Sequence, residues 1–318
     1  MSGVVLGLDG GGTQTRAALA DRAGQTVGTG AAGACNLAAV SPPQALAATL
    51  AAADGALDQA DRSRADVVSV CAGVAGVSYM DRRVQFLRSL QDTFSNAHVT
   101  VEPDYAIALT GATGGAPGVI VIAGTGSAAY GENAAGETHR TGAYGYLIDD
   151  SGSGYGVGRA ALAAVLQAAD GTGPATTLTP RLSNALELST LTEIVPAVYS
   201  GTLSRVAIAG LSRIVAEAAA EDQDPVARAL LLRAGGALAH LVHGVTQRLF
   251  ADASTPFPVA QIGGLWNAGD ALTDVFARSL RRFAPAALVT SPLRSPVDGA
   301  VQRALAQISL TQKSSHPS

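Results

Sequence analysis

The sequence predicts an α/β protein made of two similar domains. Apolar strand-like segments alternate with helical segments along most of the 318 residues, which is the order expected when helices cover a largely parallel sheet. A strand, a glycine turn and a second strand occur at residues 4–20 and again about 114 residues later, at 118–133. A repeat of this length is too long for a solenoid. Together with the chain length, it indicates two similar domains facing each other.

The elements of the first half follow from apolar runs separated by glycine, proline and polar breakers. Pro42 and Pro43 suit the first turn of a long alanine- and leucine-rich helix. The predicted strands cover residues 4–9, 13–20, 26–32, 67–71 and 99–102. The predicted helices cover residues 42–60 and 80–94, and a further helix follows Asp104.

The second half begins with the repeated strand unit and continues into a long helical region, 154–250, to which we assign packing and no chemistry. The predicted strands cover residues 118–123, 128–133, 258–262 and 287–291. The predicted helices include residues 205–220, 226–250, 270–283 and 297–308. Residues 312–318 are predicted to be a frayed polar tail.

The composition excludes several classes of protein. Lys313 is the one lysine in the sequence, which excludes P-loop, Schiff-base and protein-kinase sites that need a lysine within the fold. Cys35 and Cys71 are too few for a disulfide framework or a cysteine-rich zinc site. The formal net charge of −4 argues against a nucleic-acid partner. There is no signal-peptide pattern and no uninterrupted apolar run of membrane length. We therefore expect a soluble, cytoplasmic protein with no membrane partner.

The first candidate site is the turn Asp9-Gly10-Gly11-Gly12-Thr13. Successive glycines at a strand end let backbone N–H groups approach a bulky anion. The aspartate can hold hydrated Mg²⁺, which prefers carboxylate, phosphate and water, and the threonine hydroxyl can donate to a phosphate oxygen. The alternative is an ordinary glycine hairpin turn.

The second candidate site occupies the matching place in the second half of the chain, so it favours nucleotide binding over two unrelated turns. Two glycine hairpins that face each other can hold the β- and γ-phosphates from opposite sides. The residues of this second turn are Gly124, Thr125, Gly126 and Ser127.

Three further positions carry candidate chemistry. Asp104 can accept the proton of an attacking hydroxyl, although a helix N-cap is an alternative. Asp149 and Asp150 precede a glycine- and serine-rich helix start and could bind sugar hydroxyls or a metal, with Asp150 favoured; a turn plus a serine cap is the alternative. Gly263-Gly264 could let an adenine ring lie on the backbone, or could be a plain strand–helix turn.

Two other patterns are weak. Gly28-x-Gly30-x-x-Gly33 satisfies the dinucleotide-binding spacing, but no helix is predicted to open at Gly33. His240 and His243 are three residues apart on a predicted helix, and no further ligand stands at metal-site spacing. We assign neither a function.

Taken in order, the motifs make the sequence similar to the BadF/BadG/BcrA/BcrD ATPase family and, within it, to the N-acetylglucosamine and glucosamine kinases of the actin-like, sugar-kinase and Hsp70 ATPase superfamily. The resemblance extends from about residue 4 to residue 305. It rests on the motifs LDGGGTQTRAAL, GACN, CAGVAG, PDYAIAL, VIAGTGSAAYG, GYLIDDSGSGYGVGRAAL, IGGLWNAG and SPVDGAVQRAL.

The resemblance implies two ribonuclease-H-like (actin-like) domains that flank an ATP cleft. The first would comprise residues 1–116, completed by the C-terminal helix 297–310, and the second residues 117–296 with a helical insertion. Asp104 matches the catalytic base, Asp9 the residue that holds Mg²⁺ through water, and Gly263-Gly264 the adenosine motif. The phosphate motifs are matched by Gly10, Gly11, Gly12, Thr13, Gly124, Thr125, Gly126 and Ser127. The residues that match the sugar site are Asn36, Gly73, Asp104, Thr125, Gly126 and Asp150.

The implied activity is ATP-dependent phosphorylation of an amino sugar, foremost N-acetylglucosamine to its 6-phosphate, by a homodimer. Glucosamine, another hexosamine and N-acetylmuramic acid remain alternatives, because Ser151 stands where the family has an acidic residue. Pro103 stands where the family commonly has asparagine, and the chemistry expected of Asp104 is less affected by these departures. An ATPase activator of a 2-hydroxyacyl-CoA dehydratase would need thiolates beside the ATP site, and neither cysteine lies in the GTGSAAYG segment. A non-catalytic sugar sensor should lack the Mg²⁺ aspartate or the base, and both are present.

Overall fold

The computed structural model describes residues 3–77, 80–251 and 255–314. The first part of the chain contains β1 (Val4–Gly10), β2 (Thr15–Ala20), β3 (Thr26–Ala32), α1 (Pro42–Gln59), β4 (Val67–Val74), α2 (Met80–Thr93), β5 (His98–Pro103) and α3 (Asp104–Thr113). The next part contains β6 (Gly118–Ala123), β7 (Ser127–Glu132), β8 (Thr138–Gly142), α4 (Gly154–Ala169), α5 (Leu178–Ala185), α6 (Ile194–Tyr199), α7 (Arg205–Glu221), α8 (Pro225–Leu249), β9 (Phe257–Ile262), α9 (Asp270–Phe283) and β10 (Ala287–Thr290). Helix α10 (Pro296–Ser314) follows.

The chain forms two compact units. Unit 1 contains the residues up to 116 and from 292 onward, and unit 2 contains residues 117–291. The sheet of unit 1 has the order β3-β2-β1-β4-β5, and that of unit 2 has the order β8-β7-β6-β9-β10. In each sheet the first three strands of this order pair antiparallel with one another. The middle strand, β1 or β6, and the two strands after it pair parallel. The shared topology confirms the predicted α/β class and the predicted duplication.

Helices cover both faces of the sheet of unit 1. Leu6 and Leu8 of β1 belong to a buried cluster with residues of α1 and α2. Val5, which directly precedes Leu6, belongs to a second cluster with Ile107 of α3 and residues of α10. This alternation is the period of two expected of a strand that is buried on both faces. Unit 2 has its own core, in which residues of β6 and β9 pack with residues of the helices α4–α9.

The glycines of the apparent dinucleotide motif have a packing role. A Cβ at Gly28 would lie 2.0 Å from the carbonyl oxygen of Ala56, and a Cβ at Gly30 would lie 2.0 Å from that of Ala52. Both carbonyls belong to α1, so β3 and this helix approach backbone to backbone, which a side chain at either glycine would prevent. Gly33, with nothing within 4 Å of its Cβ position, opens no helix. Gly28 and Gly30 therefore serve the packing of β3 against α1.

The structure differs from the sequence-based expectation at several element ends. Strand β8 was not predicted, because its sequence, THRTG, is short and mostly polar, and pairing with β7 at a sheet edge forms it. The hairpin strand expected from residue 13 begins at Thr15, and the one expected from residue 128 begins at Ser127. The expected polar tail overlaps α10, which continues to Ser314. Residues 315–318 of that tail lie outside the described residues.

Helix α8 is long and apolar enough, by length and composition, to be a candidate membrane span. In the sequence, Arg228 and Arg233 interrupt the apolar pattern of this helix. In the structure, one side of α8 lies in the core of unit 2, where Leu231, Leu238 and Val242 are fully buried. A core helix passes the same length and composition test.

Candidate active site

The first glycine loop connects β1 and β2. The N–H of Gly11 donates a hydrogen bond to the carbonyl of Gln14 over 3.0 Å, which closes the turn. Gly12 and Thr13, at the tip, are exposed to solvent. The loop therefore presents its backbone and one hydroxyl to solvent, as an anion-binding turn requires.

Asp9 is the last side chain before this loop, and its environment disfavours a negative charge. It pairs with Arg16 across β1 and β2, and with Gly73 across β1 and β4. Burial, followed by repulsion from the Asp104 carboxylate, raises the pKa of Asp9 from 3.8 to about 6, against an opposing effect of Arg16. A half-buried carboxylate beside a second carboxylate is suited to binding a cation.

Asp104 is the first residue of α3 and follows β5 directly. The N-cap residue of this helix is Pro103, so the N-cap alternative for Asp104 is wrong. One carboxylate oxygen, Oδ1, accepts a hydrogen bond from the N–H of Tyr105 over 3.0 Å. β1 and β5 are both parallel to β4, and their carboxyl ends therefore lie at the same edge of the sheet. This topology brings the Asp9 and Asp104 carboxylates close enough to interact.

The two remaining candidates of unit 1 differ in their exposure. Asn36 lies beside the first loop, with its side-chain Nδ2 3.8 Å from the position of a Cβ on Gly12. Its Oδ1 accepts a hydrogen bond from the N–H of Ala38 over 2.9 Å. Gly73 is buried, and a Cβ there would lie 2.3 Å from Cδ1 of Ile107. The structure thus gives Gly73 a packing reason that is separate from sugar binding, and its sugar role stays a prediction.

The second glycine loop connects β6 and β7 in unit 2. The N–H of Gly124 donates to the carbonyl of Gly126 over 3.0 Å, and the N–H of Gly154 donates to the carbonyl of Gly124 over 2.8 Å. Thr125 is exposed at the tip. The loop is therefore joined to the start of α4 while its outer backbone stays accessible.

Asp150 lies against this second loop. Its side chain is 3% exposed, and its Oδ1 accepts a hydrogen bond from the N–H of Ser127 over 3.0 Å. Its Oδ2 pairs with Nη2 of Arg205 at 3.4 Å. A Cβ at Gly126 would lie 3.2 Å from the same Nη2 and 3.3 Å from Asp150 Oδ1. Loop, carboxylate and guanidinium are thus in direct contact.

The neighbouring serines and Asp149 form a turn and a helix cap, which was the alternative to a binding site. Ser153 is the N-cap of α4 and accepts a hydrogen bond from the N–H of Gly156. Asp149 Oδ1 accepts from the N–H and the hydroxyl of Ser151 at 3.1 and 2.6 Å. Of the two adjacent aspartates, Asp150 is the one that faces the glycine loop.

The glycine pair Gly263-Gly264 lies where β9 ends, beside the second loop. Gly263 has φ +110°, and a Cβ there would lie 2.3 Å from the carbonyl oxygen of Ala123 and 3.0 Å from the N of Gly124. Gly264 has nothing within 4 Å of its Cβ position and is exposed. This is an open backbone surface, as stacking of a planar base requires.

The Asp9 carboxylate of unit 1 fits Mg²⁺. A cation beside Asp9 would offset the burial and the repulsion from Asp104 that raise the pKa of its carboxyl. In the described ranges, no three His, Cys, Asp or Glu residues come together as a metal-binding group. Mg²⁺ is usually bound by one or two carboxylates together with phosphate oxygens and water, and Asp9 beside the first glycine loop matches that donor set.

Unit 1 thus brings together Asp9, the first loop, Asn36 and Asp104, and unit 2 brings together the second loop, Asp150 and Gly263. Sequence reasoning missed Arg205, because α7 was assigned to packing alone. One signal was available: Arg205 follows the N-cap Ser204 and begins α7. A cation in the first turn of a helix opposes the helix dipole, so an arginine at this position indicates a role other than stabilising the helix.

The chain is similar to known proteins over most of its length. The family model for the BadF/BadG/BcrA/BcrD ATPase family matches residues 6–302. The chain is 28% identical over 312 residues to an N-acetyl-D-glucosamine kinase from Dictyostelium discoideum, covering 95% of this chain and 98% of the relative. It is 29% identical over 245 residues to an N-acetylmuramic acid/N-acetylglucosamine kinase from Clostridium acetobutylicum, covering 77% of this chain and 79% of the relative.

Solved structures include a similar fold. A crystal structure of a protein from Chromobacterium violaceum, described as a candidate N-acetylglucosamine kinase, has a TM-score of 0.76 to this chain and 27% sequence identity. The match covers 94% of this chain and 98% of that protein. The likeness therefore extends over nearly the whole of both chains.

Proposed function

Because the chain belongs to the BadF/BadG/BcrA/BcrD ATPase family, which implies the use of ATP, we propose that it phosphorylates an amino sugar, foremost N-acetylglucosamine, at the C6 hydroxyl. The observation that carries the proposal is the pair of interacting carboxylates, Asp9 and Asp104, beside the first glycine loop. A transferase of this class needs one carboxylate for the metal and one for the hydroxyl. The names of the two curated relatives support an amino sugar as the acceptor.

The proposed mechanism places Asp104 at the acceptor hydroxyl. Its carboxylate orients the hydroxyl and accepts the proton as the sugar oxygen bonds to the γ-phosphorus. The bond from the γ-phosphorus to the oxygen bridging to the β-phosphate breaks, and ADP leaves with that oxygen. In such transfers positioning and electrostatic stabilisation provide nearly all of the rate acceleration.

The remaining residues bind and orient the substrates in this proposal. Mg²⁺, when bound, supplies positive charge to the phosphate oxygens, and Asp9 would hold it through water. Backbone N–H groups of both glycine loops bind phosphate oxygens, Gly263-Gly264 receive the adenine, and Asn36 and Asp150 hold sugar hydroxyls. Gly73 contributes through its backbone at the sugar site.

The test is a coupled ADP-release assay over a panel of sugars: N-acetylglucosamine, glucosamine, N-acetylmuramic acid, glucose and 6-deoxy-N-acetylglucosamine. We expect turnover with N-acetylglucosamine and none with its 6-deoxy analogue. Turnover of glucose alone, or of no amino sugar, would contradict the proposal. The relative order of the three amino sugars decides the acceptor, which Ser151 leaves open.

A matched pair of variants tests the role of Asp104. Asp104→Asn should lower kcat about 10²- to 10⁴-fold, the usual contribution of a positioned general base. Asp270→Asn is the control, because Asp270 is likewise the first residue of a helix and is exposed. If Asp104→Asn keeps a near wild-type kcat, the base assignment is wrong.

The finer expectations belong to the same proposal. They are that the metal is Mg²⁺, that the protein is a cytoplasmic homodimer, that it binds neither nucleic acid nor membranes, and that the two compact units are its two actin-like domains. Both cysteines are buried, and burial raises the pKa of each thiol, that of Cys71 to about 12. Neither is suited to the thiolate ligation that an iron–sulfur activator needs, which favours the kinase.

A further inference from the structure

Arg205 stands at a helix start that disfavours a cation and contacts residues beside the second glycine loop. It begins α7, where its positive charge opposes the helix dipole. Its side chain is 42% exposed, and its guanidinium lies over the ring of Tyr146 at 5.1 Å from the ring centre. The arginine is thus directed along the surface toward the second glycine loop rather than away from it.

The ion pair that Arg205 makes with Asp150 is loose. Its N–O distance is 3.4 Å, whereas charge-assisted hydrogen bonds are about 2.7–2.9 Å long. In the same unit, Arg181 makes a two-pronged contact with Asp222 at 2.7 and 2.9 Å. The guanidinium of Arg205 therefore has N–H donors beyond the one that contacts Asp150.

We propose that Arg205 binds a phosphate of the nucleotide held at the second glycine loop, while Asp150 keeps the guanidinium beside Gly126. This inference rests on the proposed function for the identity of the ligand. The geometry supports it, because Nη2 lies 3.2 Å from the Cβ position of Gly126. A guanidinium offers a fork of N–H donors that matches phosphate oxygens.

The composition of the chain makes an arginine at this loop important for phosphate binding. Lys313 is the one lysine in the sequence and lies near the end of α10, so charge for the phosphates must come from arginine, Mg²⁺ or backbone N–H groups. Arg16 of unit 1 faces the Asp9 carboxylate and lowers its pKa. In unit 2, Nη2 of Arg205 lies 3.2 Å from the Cβ position of Gly126 and pairs with Asp150.

The experiment measures binding rather than turnover. The dissociation constant of MgATP is determined by calorimetry without sugar for the wild type, Arg205→Ala, Arg205→Lys and Arg213→Ala. Arg213 is the matched control, since it lies two turns further along α7, is 80% exposed and pairs with Glu217. We expect Arg205→Ala to weaken MgATP about ten- to a hundredfold, Arg205→Lys to be intermediate and Arg213→Ala to match the wild type.

A merely structural role predicts another pattern. If Arg205 only orients Asp150, Arg205→Ala will raise the KM of the sugar and leave MgATP binding unchanged, and that result would overturn the inference. Asp150→Asn supplies a further comparison: because Asp150 holds the guanidinium beside Gly126, this variant should weaken MgATP binding less than Arg205→Ala does and should also raise the KM of the sugar. Circular dichroism checks that each variant is folded.

The experiment distinguishes a failure of this inference from a failure of the proposed function. A wild type that binds MgATP and phosphorylates no amino sugar would refute the proposed function, while the effect of Arg205→Ala on MgATP binding would still decide the role of Arg205. A wild type that does not bind MgATP would refute both.

Discussion

Replacing Asp9 by asparagine should stabilise the metal-free protein at neutral pH and at the same time remove most of its activity. The carboxylate is half-buried and faces Asp104, and these two effects raise its pKa from 3.8 to about 6. The folded chain therefore resists ionisation of Asp9 more than the unfolded chain does. Asparagine keeps the shape of the side chain and carries no charge.

The size and sign of the effect follow from linkage. Well below pH 3.8, Asp9 is protonated in both states, so its ionisation does not affect the free energy of unfolding. As the pH rises from about 3.8 to about 6, the unfolded chain releases this proton while the folded chain keeps it, so stability falls, and the loss is complete above the folded pKa. The difference between 3.8 and about 6 amounts to about 3 kcal/mol at neutral pH.

The assay is urea unfolding in EDTA at pH 4 and at pH 7.5. Asp9→Asn should exceed the wild type by about 0.6 kcal/mol at pH 4 and by about 3 kcal/mol at pH 7.5, while kcat falls about a hundredfold or more because the metal is no longer held. Asp58→Asn, at an exposed position on α1, is the control and should show no such difference. Equal gains at both pH values, or no gain at pH 7.5, would refute the electrostatic reasoning.

Three further outcomes follow from the packing. Gly30→Ala should destabilise the protein by about 3 kcal/mol, because its Cβ would meet a backbone carbonyl at 2.0 Å. The control Gly33→Ala should change the free energy of unfolding by about 0.5 kcal/mol or less, and equal effects of the two variants in urea unfolding would contradict this prediction. The buried thiols of Cys35 and Cys71 should react with Ellman's reagent at pH 8 only after unfolding; rapid reaction of the native protein would be the opposite result. Trp266 is the single tryptophan and lies just beyond the glycine pair proposed for adenine, so MgADP should change its fluorescence; an unchanged spectrum at saturation would count against that adenine site.

The part of the site that could be predicted is the part that local sequence determines. Asp9 and both glycine loops stand at the ends of apolar strands, and a strand–turn–strand pattern can be identified from neighbouring residues alone. The proximity of Asp9 and Asp104 could be expected only through the family resemblance. The physical reason they meet is that β1, β4 and β5 are parallel, which brings their carboxyl ends to one edge.

The parts that could not be predicted depend on long-range contacts. Strand β8 forms because β7 provides hydrogen-bond partners for a short polar segment. Arg205 reaches the second loop because α7 packs along α4, with the carbonyl oxygen of Ile208 at 1.9 Å from the Cβ position of Gly158. The adjacent aspartates Asp149 and Asp150 look equivalent in sequence, and the start of α4 directs only Asp150 to the loop.

The backbone-to-backbone contact of β3 with α1 also has a thermodynamic consequence for the composition of the chain. The contact is made by Gly28 and Gly30 with the turns of α1 that carry Ala52, Ala53 and Ala56, all fully buried. Alanine and glycine have no side-chain rotamers to immobilise when a chain folds. This layer therefore forms without the loss of rotamer entropy that leucine or methionine would incur, while each contact removes little apolar area from water. The alanine-rich composition is in part a property of this helix–sheet layer.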